Sequence, residues 1–398
     1  MFEPQDHPNV IPYPGAPPTP PYDNAGWTLA FQMGVQFDRL LEPVTGPFER
    51  VTDWNVRPAA GRVTTLSSGH YVVASRELND TFKAVNRLLK AGVRVTMSPS
   101  RFFVQVQQGT ESQLRKIAAD TGVSFMAWPT AVNQGQRAVQ MPRIGLWDQY
   151  GGSMPSGWTR WILEQFEYPF TRVFAPELDA GNLNAKYDVL IFVDGAIPGI
   201  ATDQGGRGGR GGRGGQPALT PADVPAEYRT HLGRVTPEVT IPRLRQFVEY
   251  GGTIVAIGSS AENLARHLKL PLTDHLAEEG KPLPRSKYFV PGSVLTAAVD
   301  MRHPIAAGMR ERTDFFFDNS PVFRLAPDAE RAGVKVIARF DSATPLRSGW
   351  AWGQKYLEGG IIALEAPLCK GRVLLFGPEI LHRAQPHGTF KLLFNAIY

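Results

Sequence analysis

Two stretches of the 398-residue chain carry residue types that chemistry needs. The run GTIVAIGSSAENL leaves an apolar, strand-like segment at Gly258 and passes through Ser259 and Ser260 directly into a helical pattern. A hydroxyl at such a strand–turn–helix corner stands at a helix N-terminus, where free N–H groups favour an anion. Ser260 is thus the candidate nucleophile. Glu262 stands where a full nucleophile elbow has a small residue, and the plainer reading of Ser259 or Ser260 is a helix cap. The second stretch, RVLLFGPEILHRAQPH, breaks a buried strand at Gly377-Pro378, delivers Glu379 and continues to His382 and His387. A serine hydrolase would need one of those imidazoles to take the proton of Ser260. Both lie several residues beyond the strand end, where spacing alone fixes no distance.

A third arrangement has the form of a metal site. His275-Leu276-Ala277-Glu278 is a literal H-x-x-E, and His382 follows 107 residues later. Catalytic zinc requires three protein ligands, an open position for water and a base beside it. The motif lies in LTDHLAEEGKPL, which reads as a loop, and a chain with eight histidines produces H-x-x-E readily by chance. His275, Glu278 and His382 are therefore rejected as a zinc set.

The elements that would position these groups form a regular pattern from residue 142 onward. The runs RIGLW, TRVFA, YDVLIFV, GTIVAI, VKVIARF, GGIIALEA and RVLLF read as strands, and SGWTRWILEQF, IPRLRQFVEYGG and SAENLARHLKL as helices. Short buried strands alternating with helices predict a mainly parallel sheet covered on both faces. The expectation is a flavodoxin-like three-layer α/β domain over 142–398. Ligands of such sheets sit beyond the carboxyl ends of the strands. Asp148, Ser153, Asp194, Ser260 and Glu379 fall at or just after predicted strand ends and are the ligand-binding candidates, although each by itself reads more readily as a cap or loop residue than as a ligand contact.

The region before this domain divides in two. Residues 1–59 read as an extended, proline-rich lead-in and linker, with PNVIPYPGAPPTPPY unable to form helix. Residues 60–135 read as a small α/β unit. Its first helical run, SRELNDTFKAVNRLLKAG, has Ser75 as a cap, Phe82, Val85, Leu88 and Leu89 on one face and Gly92 at its end. The second, TESQLRKIAADTG, has a Thr110–Gln113 capping box and Gly122 as terminator. His70, alone in the strand HYVVA, reads as structural. The tract QGGRGGRGGRGGQ, 204–216, interrupts the larger domain as a low-complexity surface loop.

Composition excludes several classes of function. The net charge is +5, and without Arg207, Arg210 and Arg213 of the glycine tract it is only +2, too little to imply a nucleic-acid partner. Cys369 is the single cysteine, so neither an internal disulfide nor a cysteine-based zinc cluster can form. No run approaches 18 apolar residues, so no membrane-spanning helix is expected. MFEPQDHPNVIPYPG lacks the basic and apolar regions of a signal peptide and reads as the continuation of something longer.

Two resemblances bear on function. GTIVAIGSSAENL and RVLLFGPEILHRAQPHGTFKLLFN resemble the two signature segments of class I glutamine amidotransferase domains. In that family an elbow of the form G-x-C-x-G carries the nucleophile and a late F-H-P-E segment carries the base. Laid over this chain, the cysteine falls on Ser260, the histidine on Gly377 and the orienting carboxylate on Glu379. The resemblance implies a degenerate site, because Gly377 has no side chain with which to take a proton. More widely, PPYDNAGWTLAFQMGV, FKAVNRLLKAGVRV, RIGLWDQYGGSMPSGWTRWILEQFEYPF, YDVLIFVDGAIP and FGPEILHRAQPHGTFKLLFN are similar to the carboxyl-terminal half of bacterial M14-type zinc carboxypeptidase proteins. That family places its base glutamate after the third zinc ligand, and the sixteen residues after His382 contain no Glu or Asp.

The resemblance implies an accessory region without its own cofactor, inactive as this chain, with zinc only in a separate peptidase domain. It implies that domain as a partner in cis or in trans, a small-molecule or peptide ligand, and a periplasmic or extracellular location. The alternative is a serine hydrolase or amidotransferase-like enzyme that uses Ser260 with a C-terminal histidine.

Overall fold

The computed structural model describes residues 2–23, 25–64, 71–128, 136–200 and 219–398. His70 and the glycine–arginine tract 204–216 lie outside the described residues. Five strands, Ile144–Trp147, Phe170–Val173, Val189–Phe192, Thr253–Ile257 and Gly371–Phe376, pair in parallel. Numbered along the chain, their spatial order is 2-1-3-4-5, the flavodoxin-like order. The first and third are buried at every position, as strands covered on both faces must be. Right-handed crossovers on either side of the reversal in strand order send helices to opposite faces. The helices Met154–Gln165, Thr240–Glu249 and Ser259–His267 connect these strands.

Beyond the fifth parallel strand the sheet changes direction. Ile361–Leu368, Lys335–Arg339, Ser293–Val299 and Arg312–Phe317 extend it in that order, all antiparallel. VKVIARF and GGIIALEA therefore belong to an antiparallel extension of the parallel core. The reason is connectivity. Only Cys369 and Lys370 separate Ile361–Leu368 from Gly371–Phe376, and two residues make a hairpin, never a parallel crossover. The strands SVLTAAV and RTDFFF of this extension went unread in the sequence.

The segment 71–138 builds a separate antiparallel sheet of five strands, with Tyr71–Ser75 and Arg101–Gln105 near its centre. Its first helix begins at Asp80, so Ser75 is no cap. It ends a strand, and its hydroxyl accepts the Glu77 N–H. Thr110 opens the second helix, but its hydroxyl accepts from the Gln107 N–H and so faces backwards. Gly122 ends that helix in the left-handed region at φ 73°.

The closing helix Phe390–Ile397 is buried at all eight positions and joins the two sheets. Phe394 packs on Phe82 and Phe166, Asn395 accepts from Arg76 at 2.5 Å, and Tyr398 meets Asn86. The lead-in is also attached. The N–H groups of Ala25 and Gly26 donate to the Gly292 carbonyl, and Thr28 bonds Ser348 at 2.7 Å. Residues 25–32 are thus part of the packed structure, whereas Leu40, Leu41, Phe48 and Trp54 are exposed.

Candidate functional site

The carboxyl ends of the third, fourth and fifth parallel strands meet at a cleft of about 210 Å³. Asp194, Gly258, Ser259, Glu262 and Glu379 line it from the sheet. Asp23, Arg285, Asp318 and Asn319 close it from the lead-in and the extension. Each position follows from the chain's local chemistry. The strand Thr253–Ile257 ends at Gly258, whose φ of 63° and ψ of −140° lie in a region that side chains other than glycine avoid. The helix begins at the next residue, Ser259.

This geometry corrects the placement of the nucleophile. At a strand–turn–helix elbow the reactive side chain belongs to the residue at the strained corner. Here that residue is Gly258, and Ser260 lies two residues into the helix path, fully buried. The Ser260 hydroxyl donates to the Val193 carbonyl at 2.6 Å and accepts from the Ile197 N–H at 3.0 Å. It ties down the loop after the third strand and does not face the cleft. The small residues flanking the corner by two positions are Ala256 and Ser260. That pattern was present in the sequence and would have identified Gly258.

Ser259 faces the cleft but is engaged. Its hydroxyl donates to Asp194 Oδ1 at 2.6 Å and accepts from the Gly195 N–H at 3.0 Å. Asp194 Oδ1 also accepts the Ser259 N–H at 2.7 Å. A β-carbon on Gly258 would lie 2.8 Å from Asp194 Cβ, closer than unbonded carbons approach.

Gly377 is equally closed. A β-carbon there would be driven into the backbone carbonyl of Pro321, and the Gly377 N–H is held by Ile362 O at 2.8 Å. The position from which a family histidine would act is filled by neighbouring backbone. Glu379 remains at the cleft and accepts from His382, with Oε2 and Nδ1 3.1 Å apart.

His382 is directed into an aromatic box. Its ring stacks on Phe316 at 4.0 Å and meets Trp158 and Trp27 edge-on at 5.0 and 5.7 Å. Its Nε2 is buried without a hydrogen-bond partner among the described residues. His387 lies on a different surface, with its ring on Phe390 and burial holding its pKa below the usual imidazole value. Neither imidazole bonds Ser260.

The remaining candidates separate. Asp148 accepts the Gln149 N–H at 2.9 Å and lies 3.7 Å from Arg172. Ser153 caps the helix Met154–Gln165 by accepting from the Ser156 N–H. Neither lines the cleft. Of the five ligand-binding candidates, the fold brings together Asp194 and Glu379. Sequence reasoning missed Asp23, Arg285 and Asp318, which enter from segments with no strand-end signature, and it read Ser259 only as a helix cap.

The rejected zinc set is also dispersed. His275 Nε2 bonds the Glu358 carbonyl at 3.1 Å, and burial lowers its pKa. Glu278 pairs with Lys287 at 2.5 Å. Among the described residues no three of His, Cys, Asp and Glu are grouped to hold an ion.

No family model matches the chain, and no curated protein matches it. Solved structures are similar in chain path. A ThuA-like protein from Bacteroides uniformis is similar over 68% of this chain and 93% of its own, at 11% identity and a TM-score of 0.36. A GMP synthase component from Thermoplasma acidophilum is similar over 65% and 95%, at 12% identity and 0.37. A glutamine amidotransferase from Thermotoga maritima is similar over 60% and 76%, at 9% identity and 0.32. The 2-1-3-4-5 parallel core makes the fold a flavodoxin-like α/β fold.

Proposed function

We propose that the chain is a non-catalytic accessory region of an M14 zinc carboxypeptidase-like protein, with a structural or ligand-recognition role. One observation carries the non-catalytic part. Both positions that would supply an amidotransferase nucleophile and base are glycines, and neighbouring atoms occupy the space a side chain would need. A nucleophile and an adjacent base are what acyl transfer requires, and the imidazole that Glu379 does hold, His382, is turned into the aromatic box and has no nucleophile beside it among the described residues. The M14 assignment rests on the sequence segments quoted above. With it come a peptidase domain as partner, zinc held in that domain, and a periplasmic or extracellular setting.

If the cleft is read as a recognition site, its lining selects the ligand. Asp23, Asp194, Glu262, Asp318 and Glu379 line it together with Arg285, and Glu262 is already paired with Arg266 at 2.7 Å. A small molecule or peptide offering hydroxyl, amide or ammonium donors suits such a lining, and an anion does not.

The experiment has separable arms. The purified chain is assayed for ammonia release from glutamine and for release of C-terminal residues from peptides with zinc present. It is then mixed with an M14-type peptidase domain and sedimented. The expected result is no turnover and a stable complex. Turnover of either substrate overturns the non-catalytic reading, and independent sedimentation overturns the partnership. A fluorophosphonate probe that labelled Ser260 would establish the serine hydrolase instead.

A further inference from the structure

The closing helix carries a lysine in an unusual place. Lys391 is only 8% exposed, yet it lines a groove of about 1670 Å³ on the face that also bears His387. Among the described residues its ammonium has neither a hydrogen-bond nor an ion-pair partner. A charge largely withdrawn from water without an ion-pair partner is costly, and exceptions of this kind concentrate at functional sites. Arg310 lines the same groove and adds a second positive charge.

The nearby carboxylates do not neutralise this pair. Glu77 acts on Lys391 in the opposite sense, after burial and Arg310 in order of effect. Burial raises the pKa of Asp80, which faces Lys83 and His387. Asp314 accepts the Thr296 hydroxyl at 2.6 Å, and burial raises its pKa too. Of the other arginines, Arg312 pairs with Asp341 and Arg347 lies over Phe31 at 4.4 Å. The groove wall also carries apolar surface from Met33, Trp161 and Phe166, with Phe31 and Phe390 buried behind it.

We propose that this groove binds a small organic oxyanion, a carboxylate or phosphate on an apolar or aromatic body, with its head on Lys391 and Arg310. The body lies on the aromatic wall, as in ligand sites where a few polar groups orient a mostly apolar molecule. Charge-assisted hydrogen bonds from a desolvated ammonium supply the affinity. The lysine is suited to a pH-dependent response, since burial and then Arg310 bring its pKa down to about 8.

Calorimetry on the full chain tests this with phenylacetate, phenyl phosphate and inorganic phosphate. One or both aromatic anions bind saturably, and the stronger of the two identifies the head group. Inorganic phosphate binds at least tenfold more weakly, because it lacks the body. Lys391→Met and Arg310→Met each weaken binding at least tenfold, with thermal unfolding as the control for folding. Wild-type affinity falls as pH rises past 8. A second readout avoids substitution: the ¹³C-dimethyl-Lys391 NMR resonance, obtained by reductive methylation, moves on adding ligand. Absence of saturable binding by both aromatic anions overturns the proposal, as does unchanged affinity in Lys391→Met or an unmoved resonance. Equal affinity for inorganic phosphate overturns the role of the aromatic wall.

Discussion

Asp194 Oδ1 accepts two hydrogen bonds from Ser259, one from the backbone N–H at 2.7 Å and one from the hydroxyl at 2.6 Å. Ser259 Oγ then accepts the Gly195 N–H at 3.0 Å. These links fasten the loop after the third parallel strand to the start of the helix after the fourth. A carboxylate that receives a helix's first N–H acts as a cap and a dipole partner together. Asp194→Ala and Ser259→Ala should each lower stability by about 1–2 kcal/mol in urea unfolding. Because the residues share one network, the double variant should lose less than the two single losses added. Strict additivity would show that the network does not act as a unit.

Gly377 has backbone, not solvent, where its side chain would be. Gly377→Ala should therefore destabilise by about 3 kcal/mol or more, a large effect for one methyl group. Gly258→Cys combined with Gly377→His should give no glutaminase activity, because neither new side chain has room. A folded double variant that hydrolysed glutamine would show that the site was lost by substitution alone.

Lys391 makes stability depend on pH with a definite sign. Its pKa falls from 10.5 in the unfolded chain to about 8 in the fold. The folded state disfavours the proton, so the group contributes stability above pH 10.5 that is lost as pH falls to about 8. Lys391→Met should accordingly stabilise the protein by up to about 3 kcal/mol at pH 7. The gain should shrink between pH 8 and 10.5 and vanish above it. Denaturant melts of both proteins across that range measure the difference. A pH-independent difference would place the amine in water.

His382 holds the lead-in to the sheet edge through its contacts with Trp27, Trp158 and Phe316. His382→Ala removes that stacking and leaves Glu379 without its bond. The expected loss is about 2–4 kcal/mol, the range for truncating a buried ring. Fluorescence should report it, since two tryptophans contact the ring. Limited proteolysis of the lead-in should quicken at the same time. Unchanged cleavage would mean that Trp27 is held by other contacts.

The fold class was legible because four of the five parallel strands are short apolar runs, Phe170–Val173 being the exception with two exposed positions. YDVLIFV and RVLLF announce burial on both faces through side-chain type alone. The antiparallel extension was less legible. SVLTAAV and RTDFFF carry small or mixed residues, and pairing direction is set by connection length, which the strand runs by themselves do not display. The corner was assigned to Ser260 because a hydroxyl suggested chemistry. Backbone torsion placed it at Gly258, and a residue with no side chain leaves no chemical mark to notice.

The sequence by itself determined that a parallel sheet would form and that no imidazole could stand at position 377, since both depend only on which residues occur and in what order. The tertiary structure decided that Asp194, Ser259 and Glu379 share one cleft while Asp148 and Ser153 do not. It also decided that Pro321 fills the space beside Gly377, and that Lys391 is buried beside Arg310 with no ion-pair partner among the described residues. Each of these depends on contacts between segments far apart in the chain. Such contacts exist only once the sheets and the closing helix have packed, and packing is a property of volumes in three dimensions that residue order does not express.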